Sequence, residues 1–448
     1  MKILYLAHRI PYPPNKGDKL RGFRQLEYLA ANHEVTCACF IDDPRDMPYV
    51  EPLRRWCREV VAIRLNRKRA LLRGLFGLGR GRSLTESFYD HPPMRAALAK
   101  LSRTTEFDCV LAFSSGMAPY ALAVPATRRV LDLCDLDSRK WLDYANESRA
   151  PLKWLYATEA RRLSEKEIEW IHRFDASILI TKAEARHLNG AVLPAKLHVV
   201  GNGVHLPDPI DATTISTATV WERSAGTRPS RSCRQTKRRG DDAPIVGFVG
   251  VMDYKPNVDA VLWFVRHCWL AIRNVHPRAV FRIIGRSPTK KILRLARLSG
   301  IQIVGEVESV YDVLSSVDVS VAPLRIARGL QNKVLEAMAA ANPVVLTSGA
   351  AQGIDAVDGE HFLIADTPEA TIRAVNRLLA DPEERNAIGY AARCFVGTNH
   401  CWEHELTKLE QIATGVIDTR EVAQRRLAPL TPIHRGAWIA PNPWSKPR

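Results

Sequence analysis

The residues best placed for chemistry lie in the run Arg325-Ile326-Ala327-Arg328-Gly329-Leu330-Gln331-Asn332-Lys333-Val334-Leu335-Glu336-Ala337-Met338-Ala339. At helical spacing Val334, Leu335 and Met338 share one face, and Asn332, Lys333 and Glu336 share the other. Gly329 permits a tight turn, and a helix is expected to begin near Leu330. The N-terminus of such a helix suits a diphosphate, through free backbone N–H groups and the helix dipole, and Lys333 adds a point charge. Glu336 stands one turn further in, where a carboxylate accepts hydrogen bonds from vicinal hydroxyls such as those of a ribose. Read together, these residues describe a nucleotide-sugar site, with Gly329 and Asn332 on its donor side. The competing reading is a solvated face with an i, i+3 ion pair, worth a few tenths of a kcal/mol.

The elements that must position this helix are legible on both sides of it. Val317, Val319 and Val321 alternate with polar or small residues across 316–324, as in a buried strand. Asn342-Pro343 stops the helix, and the apolar residues after it read as the next parallel strand. The domain they belong to is expected to begin at Ile245-Val246-Gly247-Phe248-Val249-Gly250, a strand running into a glycine turn. A helix through Arg273 follows, with strands at 279–284, 301–305, 317–322 and 361–364. Gly349 to Gly353 reads as a small-residue loop, and helices are expected at 368–379, 382–396 and 402–412. The first half repeats the alternation, with strands at 2–7, 34–40, 60–65, 108–113, 129–133, 176–180 and 197–200. Its helices are expected at 19–31, 93–101, 138–145, 157–173 and 182–188. Strands separated by helices predict an α/β chain with doubly wound parallel sheets, which take ligands at the C-terminal ends of their strands.

Two stretches of the first half fall at such ends. Arg9-Ile10-Pro11-Tyr12-Pro13-Pro14-Asn15-Lys16-Gly17-Asp18 follows the first strand, where Gly17 would let backbone approach a phosphate or sugar, with Lys16 and Arg21 nearby. The alternative is a stiff surface turn. Asp132, Asp135 and Asp137 follow a later strand; Asp137 reads as a helix N-cap, and Asp132 and Asp135 as ligands for acceptor hydroxyls. Lys16 and Asp18 complete the expected acceptor set. Ser114-Ser115-Gly116 ends another strand.

The 448 residues are enough for two domains, and 46% hydrophobic with 25% charged residues is ordinary for a globular protein. No apolar run approaches the ~20 residues of a membrane span, and the N-terminus reads as a first strand rather than a signal peptide. Nine cysteines form no paired-ligand pattern, so neither zinc nor a disulfide framework is expected, and scattered thiols suit a reducing cytoplasm. The net charge of +16 invites nucleic acid, an anionic membrane or phosphorylated substrates. Between 54 and 82 basic residues far outnumber acidic ones, and Leu71, Leu72, Leu75, Phe76 and Leu78 are interleaved with Lys68, Arg69 and Arg73. That pattern fits an amphipathic segment on the inner face of an anionic membrane, or a helix packed on the first domain with a solvated basic face. No nucleic-acid motif accompanies the charge. The expected domains are 1–206, a linker or insertion at 207–243, a second domain at 244–415, and a patternless tail at 416–448.

With these residues in view, the chain resembles the family-4 retaining glycosyltransferases of the GT-B fold. The resemblance rests on Phe248-Val249-Gly250 through Ala260, on Gly285-Arg286-Ser287-Pro288, and on Ala322-Pro323-Leu324 through Ala339. More narrowly, with the Arg9–Asp18 and Asp135–Trp141 stretches, it is similar to the sugar transferases associated with the PEP-CTERM/exosortase exopolysaccharide system. It spans residues 1–204 and 245–412. It implies two Rossmann-like domains facing across a cleft, the second binding a nucleotide-sugar donor and the first a saccharide or lipid-linked saccharide acceptor. No cofactor or metal is implied. Glu336 matches the second glutamate of the family's Glu-x7-Glu element and would hold the ribose, and Lys333 with the N–H groups after Gly329 would hold the diphosphate. Gly17 matches a glycine that closes on the donor phosphates, Gly250 lies at the donor side, and Gly305-Glu306-Val307 falls where the base is read. The first glutamate of the element is replaced by Arg328, which reads as a ligand for phosphate or a carboxylated sugar. An arginine common in relatives after the second-domain Phe-x-Gly is here Val251, leaving Lys255 as the nearby cation. Lys333, Lys255 and Arg328 are therefore the expected catalytic cations. A GT-B nucleotide-sugar epimerase and a non-enzymatic basic membrane-binding protein are the alternatives.

Overall fold

The computed structural model describes residues 1–14, 17–188, 190–207, 243–307, 309–327 and 329–416. The chain divides into two compact units, Met1–Gly203 with the chain from Trp402 onward, and Val204–Cys401. The expected linker at 207–243 and the tail at 416–448 lie almost wholly outside the described residues.

The first unit is built on seven parallel strands: β1 (Lys2–Ala7), β2 (Glu34–Ile41), β3 (Glu59–Arg64), β4 (Phe107–Phe113), β5 (Ala126–Cys134), β6 (Ala176–Leu179) and β7 (Leu197–Val199). Their order is β3-β2-β1-β4-β5-β6-β7. Ile3, Leu4, Tyr5 and Leu6 are fully buried because helices cover both faces of the sheet. A parallel sheet therefore reads as a continuous apolar run rather than an alternation. The order reverses direction between β1 and β4, so the crevice of this sheet lies outside Ala7 and Phe113.

The second unit holds β8 (Ile245–Val249), β9 (Val280–Ile284), β10 (Ile301–Gly305), β11 (Val319–Ala322), β12 (Val344–Leu346) and β13 (Leu363–Ile364). They pair in parallel in the order β10-β9-β8-β11-β12-β13, which is 3-2-1-4-5-6 within the unit, the dinucleotide-fold order. The switch point lies between β8 and β11. Both units are thus Rossmann-like, doubly wound α/β domains.

Three features depart from expectation. The helix Trp402–Thr414, expected to close the second domain, belongs to the first unit. Its apolar stripe, Trp402, Leu406, Leu409, Ile412 and Ala413, joins the core of Ile3, Tyr5, Leu26 and Leu29. Tyr28 and Thr407 share a hydroxyl hydrogen bond of 3.0 Å, and His33 lies 2.9 Å from Glu410. An amphipathic stripe states that a helix packs, not on which sheet. The second unit correspondingly begins at Val204, which bridges to Cys401, rather than near residue 244. The small-residue segment after β12 forms a helical turn, Ser348–Ala351, because the Thr347 hydroxyl accepts from Ala350 N–H.

Candidate donor site in the second unit

The helix Asn332–Ala339 starts two residues later than its apolar pattern suggested. Val334, Leu335 and Met338 are fully buried beside β11 and β12. Each contributes roughly 1.5–3 kcal/mol of apolar burial, enough to fix the rotation of a short helix. Asn332, Lys333 and Glu336 are left half-buried on the opposite face. Gly329 adopts φ 58°, the left-handed conformation that its turn requires. No side chain caps the helix N-terminus, and the first intrahelical bond of its opening turn is donated by Val334 N–H to Gln331 O at 2.9 Å.

Lys333 does not pair with Glu336; among the described residues neither forms an ion pair within 4 Å. The Lys333 ammonium donates instead to Asn257 Oδ1, and lies 5.4 Å from the Phe248 ring centre. Asn257 is 3% exposed on the helix Lys255–Phe264, and its Nδ2 donates to Val251 O at 2.9 Å. Its amide occupies the space a side chain at position 250 would need: a Cβ on Gly250 would stand 2.6 Å from Asn257 Nδ2. So the absence of a side chain at Gly250 serves Asn257, which in turn holds the lysine.

Burial pushes the Lys333 ammonium down to about 8, with Glu336 opposing. Burial likewise pushes the Glu336 carboxyl up to about 7, with Lys333 opposing. The Glu336 carboxylate accepts no hydrogen bond from another described residue. A half-buried carboxylate without a donor is a costly arrangement that a ligand hydroxyl would satisfy.

The carboxyl ends of β8, β9 and β10 each finish on glycine. Gly250 N–H donates to Ile284 O at 3.0 Å, and Gly285 N–H to Gly305 O at 2.8 Å. Gly285 (φ 144°) packs so closely that a Cβ would lie 1.7 Å from Gly250 O. Gly305 (φ 78°) has open space around it, and Glu306 after it is exposed. Lys255 is the exposed first residue of its helix. Thus Gly250, Gly305, Gly329, Asn332, Lys333 and Glu336 gather along one edge of the second sheet, with Lys255 on the helix entered from that edge. Arg328 lies outside the described residues. Its neighbour Arg325 is turned onto Asp259 in a two-point ion pair, with Nε–Oδ2 at 3.0 Å.

The first-unit candidates divide differently. Asp132 is not a free acceptor ligand: it is fully buried and receives Arg21 at 2.9 Å, Gln25 Nε2 at 2.6 Å and Cys134 N–H at 2.9 Å. Arg21, expected near a phosphate, is spent in the same network, donating also to Val200 O and Gly201 O. A carboxylate facing a buried guanidinium is structural in this fold, since neither charge tolerates apolar surroundings alone. Asp137 is the first helical residue of Asp137–Glu147 rather than its N-cap, and accepts from Ser115 Oγ at 2.6 Å. Asp135 is exposed, yet its carboxyl is pushed up to about 6 by desolvation in the crowded turn, with Glu184 and Asp137 adding to it. Asp18 sits between Arg9 at 2.8 Å and His8 at 3.6 Å. Burial raises its carboxyl, but His8 and Arg9 outweigh that and hold it well below the usual carboxylate range. Gly17 opens the helix Gly17–Asn32 and is exposed, while Lys16 lies outside the described residues.

Sequence reading missed Asn257 and His8. Asn257 stands three residues into a helix rich in apolar residues, and a polar residue on a buried face was the available signal. His8 follows β1 at the crevice of the first sheet, stacked on Phe113 at 5.7 Å. Among the described residues no group of His, Cys, Asp and Glu has the geometry of a metal site, and no helix is long and apolar enough to cross a membrane.

Residues 243–381, the segment that carries this donor-side geometry, match the family model described as Glycosyl transferases group 1, which indicates a glycosyltransferase. Comparison with curated protein sequences gives no match. Among solved structures, sucrose-phosphate synthase from Thermosynechococcus elongatus is similar with a TM-score of 0.63 at 17% identity, over 92% of this chain and 98% of that one. HepE from Anabaena, solved in complex with UDP, gives 0.61 at 13% identity over 93% and 100%. WaaG, a glycosyltransferase involved in lipopolysaccharide biosynthesis, gives 0.58 at 14% over 92% and 100%. At these identities the likeness establishes the fold, GT-B.

Proposed function

We propose that the chain moves a sugar from a nucleotide-diphosphate donor to a saccharide or lipid-linked saccharide acceptor with retention of configuration. The observation that carries this reading is the Lys333–Glu336 face: a cation held by Asn257 at a helix N-terminus, and one turn deeper a carboxylate with no donor among the described residues. The first suits a diphosphate and the second a ribose. HepE was solved with UDP at a similar fold, which makes a uridine nucleotide the natural first probe.

The chemistry asks mainly for placed charge. As the bond from sugar to diphosphate breaks, negative charge grows on the leaving phosphate while the sugar takes on oxocarbenium character. Lys333, Lys255 and the N–H groups at the start of the Asn332–Ala339 helix stabilise that charge where it forms, and Arg328 adds to them. Attack from the face that the diphosphate leaves retains the anomeric configuration, the leaving phosphate taking the acceptor proton. Gly305 and Glu306 are the base-side candidates. Asp18 and Asp135 remain the acceptor-side candidates. The motifs shared with exosortase-associated sugar transferases support a role in exopolysaccharide biosynthesis.

Thermal-shift titration with nucleoside diphosphates tests the reading, because a ligand of the native state raises its apparent stability. Stabilisation by UDP or another nucleoside diphosphate, lost in Lys333→Ala and in Glu336→Ala, is expected. Stabilisation unaffected by either substitution would remove the pair from the donor site.

A further inference from the structure

We propose that one face of the Arg67–Gly79 helix in the first unit docks on an anionic membrane surface. This goes beyond the transferase reading and stands or falls apart from it. The helix is mounted in an unusual sense. Its packed side consists of Ala70, Gly74 and Gly77, set against the following helix Leu84–Tyr89. A Cβ on Gly74 would stand 3.1 Å from Leu84 O, and one on Gly77 2.0 Å from Ser87 Oγ. Close approach through glycines spends the small residues on the core and turns the large ones outward. Leu72 and Phe76 are 67% and 62% exposed, and Leu71 and Leu75 are exposed beside them. At 100° per residue these four side chains span about 140° of the helix surface. An ordinary amphipathic helix buries that arc.

Charge identifies the occupant. The chain has no acidic residue between Glu59 and Glu86. Three of the cations there are engaged: Arg73 donates to Phe88 O at 3.0 Å, Arg82 pairs with Glu86 and Asp90, and Arg67 lies 3.9 Å from Asp42. Lys68 and Arg69 are exposed beside the apolar arc, and the Arg80 guanidinium lies 4.0 Å over the Phe76 ring. The helix Leu152–Arg173 is fastened to this segment by Arg162, which donates to Leu78 O and Arg82 O, and it exposes Leu152 and Trp154 beside Lys153. Leucine and phenylalanine rimmed by unpaired cations match the acyl boundary beneath anionic headgroups. A second copy of this face would meet it with like charges, and nucleic acid offers the leucines nothing.

The test is flotation of the full chain with phosphatidylglycerol-containing vesicles and with phosphatidylcholine vesicles, at low and high salt. Partition onto the anionic vesicles is expected, falling at least ~10-fold in high salt or without the anionic lipid, since each cation near the surface is worth about five-fold. Leu72→Glu/Phe76→Glu and Lys68→Glu/Arg69→Glu should each lower partition by at least ~10-fold. All four side chains are exposed, so circular dichroism and UDP binding should match the wild type. Failure of the wild-type chain to float, or flotation unaltered in both variants, overturns the proposal. So does a wild-type dimer in sedimentation that Leu72→Glu/Phe76→Glu dissolves, since the face would then cover a second copy.

Discussion

The Lys333 ammonium donates to Asn257 Oδ1, tying the helix after β11 to the helix after β8 across the switch point of the second sheet. The cation proposed to face a donor phosphate is therefore oriented by a neighbour on a different element. Asn257→Ala removes that acceptor and the amide bonded to Val251 O. We expect nucleotide affinity to fall about ten-fold, as for loss of a hydrogen bond to a charged group. Calorimetric titration with UDP measures it. Asn257→Asp should fall further, because the new carboxylate would claim Lys333 and repel the diphosphate.

A pH dependence follows from the same pair. In the proposed site, donor binding uses the ammonium and carboxylate forms, and burial moves Lys333 down to about 8 and Glu336 up to about 7. Affinity for a nucleotide sugar should peak between these values, declining below as Glu336 gains a proton and above as Lys333 loses one. Glu336→Gln should abolish the acidic limb and keep the basic one. A flat profile in the wild type would separate these groups from binding.

Folding stability shifts the opposite way. Glu336 has a raised folded-state value, so its contribution is fully present below about 4.5 and is lost as pH rises towards 7. Lys333, with a lowered value, regains stability only as pH rises from 8 towards 10.5. A bound nucleotide should therefore raise the melting temperature most between pH 7 and 8.

Asp132 separates structural from functional carboxylates. Asp132→Ala leaves Arg21 buried without its counter-ion and should cost about 3–5 kcal/mol in urea denaturation. Asp135→Ala, at an exposed position, should stay within about 0.5 kcal/mol. Any effect of the latter on transfer would then report on acceptor binding alone.

Gly285 tests the glycine-lined strand ends. Gly285→Ala places a methyl group against Gly250 O at a φ that L-residues rarely adopt. A loss of about 3 kcal/mol or more is expected, together with disturbance of the Gly250–Asn257–Lys333 chain.

The amino-acid sequence by itself determined what local forces can write. The strands carry continuous apolar runs, and the alternation with helices announced two doubly wound sheets. The helix bearing Lys333 and Glu336 was legible because Val334, Leu335 and Met338 recur at its period, and Gly329 because its turn needs a left-handed residue. Tertiary structure decided the partners. A charged residue at a strand end looks the same whether it meets solvent or a buried opposite charge, so Asp132 read as a ligand until Arg21 reached it from 111 residues away. The helix Trp402–Thr414 shows an apolar stripe that either sheet would cover. Ala70, Gly74 and Gly77 recur at helical spacing but form no hydrophobic stripe, and the closeness of the two glycines to Leu84 and Ser87 chose which side faces outward. Lys333 found Asn257 rather than Glu336 because chain topology brings two helix starts to one sheet edge, and spacing along the sequence holds no record of that meeting.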